Sequence, residues 1–262
     1  MRGFRNLLGA LALGAAAAIA GTAWAPPARA AGDGITIPAI RFSFDGLFGT
    51  FDRGAAQRGF QVYKEVCSAC HAMRQMSYRH LLELGISEAQ LRGIAASVQV
   101  VDGPNDTGEM FERPGRLSDR FRRPFANDQA ARAANNGALP PDLSVMVKAR
   151  AAGAPYIHAL LTGYEDAPAG MTMMDGMNYN KYFPGHQIAM PSVLNEGQVD
   201  YADGTTATVD QMARDVTTFL AWAAEPELEK RRAMGVRIIL FLIVLAGLTY
   251  AVKRQIWAKV HH

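Results

Sequence analysis

A chain of 262 residues, 49% of them apolar, is long enough to bury a substantial core, and it shows no internal repeat or low-complexity tract. Its 27 basic and 24 acidic residues nearly balance at a formal charge of +3, so the composition calls for no nucleic-acid partner. Only two cysteines are present, which excludes a scaffold built on several disulfides.

The chain opens Met1-Arg2-Gly3-Phe4-Arg5, runs apolar from Leu7 to Ala20, and then offers two small-residue cleavage sites, Ala23-Trp24-Ala25 and Ala28-Arg29-Ala30. This is the pattern of a secretory signal peptide, assigned to residues 1–30. A first transmembrane helix fits less well, because the run is short, rich in Ala and followed at once by Pro26 and Pro27. The mature protein is therefore expected beyond the cytoplasmic membrane.

Residues 52–67 predict a helix in which Phe60, Tyr63 and Val66-Cys67 recur at three- and four-residue steps, with Gly59 as a point of close approach to a neighbour. It leads into Cys67-Ser68-Ala69-Cys70-His71. C-x-x-C-H is the attachment signal for a c-type haem: both thiols add to haem vinyl groups as thioethers, and the adjacent imidazole becomes an axial iron ligand. The competing readings are a disulfide, which does not require the histidine, and half of a zinc site, which needs ligands from elsewhere in the chain. Both cysteines and His71 are assigned to one covalently bound haem c. Attachment of that kind suits an exported domain.

Beyond the motif, residues 100–123 read as loop, 135–141 as a turn cluster, and 168–185 as loop again, with only short helical pieces between. A porphyrin would supply much of the hydrophobic core that such a segment lacks. Strand signals are weak, the best being a small hairpin of residues 198–201 and 205–206 around Asp203-Gly204. A second clear helix covers residues 208–224. Thr208 and Gln211 form a capping-box pattern, and Val209, Met212, Ala213, Val216, Phe219, Leu220 and Ala223 make one apolar stripe. In c-type cytochromes the first and last helices cross near the haem, and residues 52–67 and 208–224 are placed to do so.

A second axial ligand has many candidates. Methionine raises the potential and suits electron transfer, histidine lowers it, and an open position points to ligand chemistry. Met73, Met76, Met110, Met146, Met171, Met173, Met174, Met177, Met190 and Met212 compete with His80, His158 and His186. Met73 and Met76 follow His71 too closely to reach the other haem face easily, and Met212 lies on the apolar stripe. Met190-Pro191 stands out, because it follows a turn-rich approach and precedes the last helix, where class I cytochromes place this ligand.

Near the C-terminus, residues 238–252 form a second long apolar run, which counted from Met234 covers 19 residues, or about 28 Å against a hydrocarbon core of roughly 30 Å. Arg237 can snorkel, and Tyr250 and Trp257 suit the far interface. The expected organisation is a removed signal peptide (1–30), an exported haem domain (31–229), a transmembrane anchor (230–253) and a cytoplasmic tail (254–262). Leaving out three leader arginines and seven bases flanking the anchor gives the exported domain 17 bases against 24 acids, a net charge of −7. An acidic head on a basic stalk suits a basic soluble partner.

Several stretches resemble the cytochrome c1 family: Cys67 to His71 followed by Tyr78-Arg79, the run Ala130 to Ser144 with its Asn135-Asn136-Gly137-Ala138-Leu139-Pro140-Pro141-Asp142 centre, Leu161-Thr162-Gly163-Tyr164, Tyr182-Phe183-Pro184-Gly185, Met190-Pro191, and Trp222 to Glu227 before the anchor. The likeness extends from about Pro38 to Trp257. It implies a mainly α, class I c-type cytochrome fold with long loop insertions plus one C-terminal transmembrane helix. It further implies Met190 as the sixth iron ligand, and Arg150 and Tyr156 beside the haem, the arginine on a propionate. Pro140 and Pro141 match a segment that packs on the haem, where a backbone carbonyl could orient His71 through its Nδ1 proton. Some bacterial relatives brace the loop before the methionine with a disulfide, which two haem-bound cysteines cannot supply. Packing by Tyr179, Tyr182 and Phe183 is expected in its place.

The implied function is electron transfer within a ubiquinol-cytochrome c reductase of a respiratory or photosynthetic chain. One electron would arrive from a Rieske iron-sulfur protein and leave to a soluble or membrane-bound cytochrome c, with a cytochrome b subunit and membrane lipid as further partners. The expected location is the bacterial inner membrane, single-pass, with the haem domain in the periplasm. No general acid or base is needed, and quinol oxidation belongs to the partner subunits. The alternatives are a peroxidase-like haem enzyme, the haem subunit of an oxidase, or a soluble carrier, which the anchor opposes.

Overall fold

The structure, a computed structural model, describes residues 34–259, so the expected signal peptide lies outside the described residues. The chain divides into two units, Met1–Ile35 and Thr36–His262. Of the first only Gly34 and Ile35 are described, and the architecture below is that of the second.

The fold is mainly helical. Helix α1 (Arg53–Glu65) starts where the Asp52 carboxylate accepts from the Ala55 N–H at 3.0 Å, and a 3-10 turn over Cys67–Ala69 follows it. Next come a 3-10 helix over Tyr78–Leu84 and α2 (Glu88–Ala96), which Ser87 and Gln90 cap reciprocally. Strands β1 (Gln99–Asp102) and β2 (Phe111–Pro114) pair as an antiparallel hairpin. Then follow α3 (Asp128–Ala134), α4 (Ala154–Thr162), the two-residue strands β3 (Asn178–Tyr179) and β4 (Gln187–Ile188), α5 (Val209–Ala224) and α6 (Leu228–Trp257).

The core is organised on the crossing of α1 and α5, the most extensive helix contact in the fold. Phe60, Val62 and Tyr63 of α1 are buried against Met212, Val216, Phe219 and Leu220 of α5, with the Phe60 and Phe219 rings 5.6 Å apart. Gly59 permits that approach: a Cβ there would lie 2.0 Å from the Asp215 carbonyl oxygen and 2.8 Å from the Phe219 Cβ. Neither atom can yield, since both belong to the facing helix. Gly59→Ala is therefore expected to destabilise the domain by about 3 kcal/mol, the upper part of the usual overpacking range. Urea denaturation of the protein measures this, and a loss below about 1 kcal/mol would show that the helices can move apart.

The α5 cap forms only half of the expected box. Thr208 accepts from the Gln211 N–H at 3.1 Å, but the Gln211 side chain turns away and donates to Asp215 at 3.0 Å. Asp215 is fully buried and takes two further bonds from Arg58 of α1, at 2.8 and 3.0 Å, so its demand outcompetes the cap. Packing of α4 on α5 places His158 Nε2 2.9 Å from an Asp210 carboxylate oxygen. Burial is the main influence on this imidazole and lowers its pKa despite the acid beside it. A depressed pKa means that the unfolded chain binds the proton first, so stability from His158 is present above about pH 6.5 and lost as the pH falls below it. The stability of the wild type should thus fall more between pH 7 and 5 than that of His158→Gln. Parallel denaturation curves for the two proteins across that range would exclude the effect.

Two loop expectations and one hairpin expectation need correcting. Residues 100–123 contain the β1–β2 hairpin, fastened by Arg113, which ion-pairs with Asp102 on the other strand and with Asp119. Residues 198–206 form no ladder. Val199 and Tyr201 are buried, Asp200 O accepts from Gln61 at 2.9 Å, and Asp203 pairs with Arg58 at 2.8 Å, so side chains of α1 hold the segment. Residues 168–185 include β3, which pairs with β4.

Helix α6 is 30 residues long, about 45 Å, and is long and apolar enough to cross a membrane, with side chains from Ile238 onward exposed. Its polar first turns are tied to the preceding part of the fold. Glu229 accepts from the Phe51 N–H at 2.7 Å and pairs with Arg53 at 2.9 Å, while Arg232 donates to the carbonyls of Phe44 and Gly49 at 2.8 and 2.9 Å. Glu225, between α5 and α6, pairs with Lys148 at 3.1 Å and with Arg231.

Candidate functional site

The C-x-x-C-H segment leaves α1 through the 3-10 turn, in which Cys70 N–H and His71 N–H both donate to Cys67 O, at 3.2 and 2.9 Å. The two cysteines form no disulfide; Cys67 is half-buried and Cys70 exposed. Burial pushes the Cys67 thiol up to about 12. A disulfide-exchange motif needs the opposite shift, toward a thiolate at neutral pH. Among the described residues no three His, Cys, Asp or Glu side chains are grouped to hold a metal ion by themselves.

His71 is set by the segment that follows α3. Gly137 N–H donates back to Arg132 O at 2.8 Å with Asn136 and Gly137 in the left-handed region, and the chain turns toward the motif. Two strips then zip together: Leu143 N–H donates to Ala72 O at 2.9 Å, Arg74 N–H to the Asp142 carboxylate at 2.8 Å, and Gln75 N–H to Ser144 Oγ at 3.1 Å. The result places Pro141 O 2.8 Å from His71 Nδ1. The carbonyl can only accept, so Nδ1 carries the proton and Nε2 is free for a metal. Burial lowers the His71 pKa, against the opposing pull of Pro141 and Asp142, and so favours the neutral, metal-binding form.

Met190 and His71 lie close together. The methionine is half-buried and its carbonyl accepts from the Tyr164 hydroxyl at 3.0 Å. Hydrogen bonds as well as packing hold the loop before it. Asn180, fully buried, donates from Nδ2 to Leu160 O at 2.8 Å and from its N–H to His186 O at 3.0 Å, and Lys181 N–H donates to Gly163 O at 2.9 Å. Tyr182 packs on Gly163, where any Cβ would come within 2.4 Å of the ring, and Tyr179 stacks on His186 at 5.6 Å. Phe183 contributes through its carbonyl, which accepts from the His186 N–H at 2.8 Å.

Several other candidates for the second ligand have partners elsewhere or lie in the core or at the surface. Met73, Met76, Met146 and Met212 are buried in the core, and Met110 and Met174 are exposed. His80 Nδ1 accepts from the Ser77 N–H at 3.1 Å, His158 faces Asp210, and His186 Nδ1 lies 3.2 Å from Asn180 O. Met171, Met173 and Met177 sit half-buried in the loop. Arg150 is exposed and donates to Ala149 O at 3.1 Å, while Tyr156 is buried, and burial raises its pKa against the opposing influence of Arg150. Burial raises the pKa of Tyr164, whose hydroxyl donates to Met190 O.

Two thiols, an imidazole with its Nδ1 fixed and a nearby thioether fit a covalently attached haem: thiols for the vinyls, soft and borderline donors for the iron. Tyr164, Asn180 and the Pro141 carbonyl act only through long-range contacts. Sequence patterns give no role to the first two; the third is foreshadowed by the Pro-Pro run.

Comparison with known proteins agrees with this geometry. Residues 42–260 match the Cytochrome C1 family. The chain is 49% identical over 246 residues to a cytochrome b/c1 of Bradyrhizobium diazoefficiens, covering 86% of this chain but only 36% of that longer protein. It is 45% identical over 251 residues to cytochrome c1 of Rhodospirillum rubrum, covering 90% and 92% of the two chains. It is 47% identical over 232 residues to the cytochrome b-c1 complex catalytic subunit, mitochondrial, of Candida albicans, covering 88% and 81%. The mainly helical fold with one long apolar C-terminal helix, the C-x-x-C-H segment and these matches together establish that the chain belongs to the cytochrome c1 family.

Proposed function

We propose that this chain holds one haem c through Cys67 and Cys70, with His71 and Met190 as axial ligands, and works as the electron-transfer subunit of a ubiquinol-cytochrome c reductase. The observation that carries the reading is the approach of Met190 to His71, an imidazole already committed at Nδ1 to Pro141. When bound, the haem supplies one-electron redox chemistry at its iron. His71, fixed through Pro141, and Met190 would hold the iron, and Arg150 and Tyr156 would meet a propionate or the haem edge. A closed sixth position favours electron transfer over peroxidase-like chemistry, which needs an open one.

Under this proposal residues 31–229 are a periplasmic domain, 230–253 a single span of the bacterial inner membrane and 254–262 a cytoplasmic tail. The names of the Bradyrhizobium and Candida relatives support membership of a complex with cytochrome b. A Rieske protein would deliver the electron, and a cytochrome c would accept it. The −7 charge of residues 31–229 would steer a basic acceptor. The test is the rate of electron transfer from the purified complex to a basic soluble cytochrome. It should fall steeply as ionic strength rises from 10 mM to 0.5 M, as screening shortens the Debye length from about 30 Å to below 5 Å. A rate insensitive to salt would remove the steering, and mild detergent extraction yielding this chain without a quinol-oxidising partner would remove the complex.

A further inference from the structure

Residues 42–51 form a closed loop whose ends are tied. Asp45 N–H donates to Phe42 O at 3.1 Å, Thr50 N–H to Ser43 O at 3.1 Å, and Phe42 N–H to the Asp45 carboxylate at 2.8 Å. Phe42, Phe44 and Phe51 turn inward, with ring centroids 5.1 and 5.0 Å apart in sequence. Gly49 allows the closure, since a Cβ there would sit 2.1 Å from Asp45 O. At the tip the pattern reverses: Leu47 is 62% exposed and Phe48 81% exposed. A loop this well ordered had room to bury its phenylalanines and leaves one outside.

The location of the tip gives that exposure a meaning. Arg232 of α6 grips the loop on both sides through the Phe44 and Gly49 carbonyls, and Glu229 of the same helix holds Phe51 N–H and Arg53. Arg232 stands six residues before Ile238, roughly 9 Å along the helix axis. From Ile238 onward the helix presents apolar side chains outward. The base of the loop is thus fastened to α6 about two turns before its exposed apolar stretch begins.

We propose that residues 43–50 are a second membrane contact, in which Leu47 and Phe48 enter the interfacial layer of the bilayer that α6 crosses. The inference rests on the reading of α6 as the anchor. A short aromatic and aliphatic wedge suits the headgroup boundary, where an apolar face is buried by about 5–10 Å. Rigid attachment to α6 would make the wedge a stop against tilting of the haem domain over the membrane.

The test uses the full-length, haem-loaded chain in nanodiscs of phosphatidylcholine with phosphatidylglycerol, spin-labelled at Phe48→Cys, at Leu242→Cys within α6, or at Thr107→Cys in the exposed β1–β2 turn. With haem attached, the introduced cysteine is the only free thiol. Labels at 48 and 242 should collide more with oxygen than with a water-soluble nickel reagent, and the label at 107 should show the reverse. If 242 reports lipid while 48 matches 107, the wedge proposal fails and the anchor stands. If 242 also matches 107, the anchor reading fails and the wedge with it. A label at 48 that is aqueous in the lone chain and shielded only after partner subunits are added would overturn lipid in favour of a protein surface.

Discussion

Met190→Leu is expected to leave the fold and the covalent haem in place while lowering the reduction potential by on the order of 0.1 V or more, because the thioether that favours the reduced iron is gone. Leucine nearly conserves volume, so the packing cost should stay below about 1.5 kcal/mol. The Tyr164 bond to the residue-190 carbonyl survives, since it involves only backbone on that side. Redox titration with optical and paramagnetic-resonance spectra of the spin state reads the result. Tyr164→Phe is the graded companion: it deletes one hydrogen bond worth about 1 kcal/mol and should weaken the methionine ligand without abolishing it. A low-spin haem of unchanged potential in Met190→Leu would assign the sixth position to another side chain.

Asp215→Ala is expected to cost about 3–5 kcal/mol, the loss typical when one member of a buried ion pair is removed. Asp215 is wholly buried on α5 and takes three hydrogen bonds, two from Arg58 and one from Gln211. Without it, Arg58 keeps only Asp203, an exposed partner, and a guanidinium mostly covered by protein loses its main counter-charge. The intact network holds the Arg58 pKa above its usual value, chiefly through Asp215. Asp203, held at about 2 by the Thr205 backbone and by Arg58, stays ionised at any working pH but cannot follow Arg58 into the α1–α5 seam. Denaturation with urea or heat gives the value, and Asp215→Asn should fall between the alanine variant and wild type. Equal stability of Asp215→Ala and wild type would mean that water replaces the carboxylate in the seam.

What could be read from residues alone follows the range of the interactions. Cys67 to His71 declares its cofactor because the thioether chemistry is local and needs no neighbour. Gly59 and the α5 stripe are legible because helical periodicity projects residues onto faces, and the facing stripes find each other. The β1–β2 hairpin escapes: its strands have four residues each and depend on Arg113 bridging Asp102 and Asp119, a tertiary contact with no local signature. The small hairpin expected at 198–206 fails for the converse reason, since Arg58 and Gln61 capture Asp203 and Asp200 from outside the segment. Asn180 looks like an ordinary loop residue. Its buried bond to Leu160 O, twenty positions away, is what makes it a strut under the Met190 loop.

The join between α5 and α6 has a mechanical consequence. Helix α5 ends at Ala224 and α6 starts at Leu228, so the connection is a few residues long, and Glu225 within it bridges Lys148, two residues before Arg150, to Arg231 of the anchor. Glu229 and Arg232 add struts to the opposite flank. Several ion pairs and hydrogen bonds thus tie the first turns of α6 to the rest of the domain. On the proposed reading of α6 as the anchor, these ties would let the chain itself set how far the haem stands from the membrane.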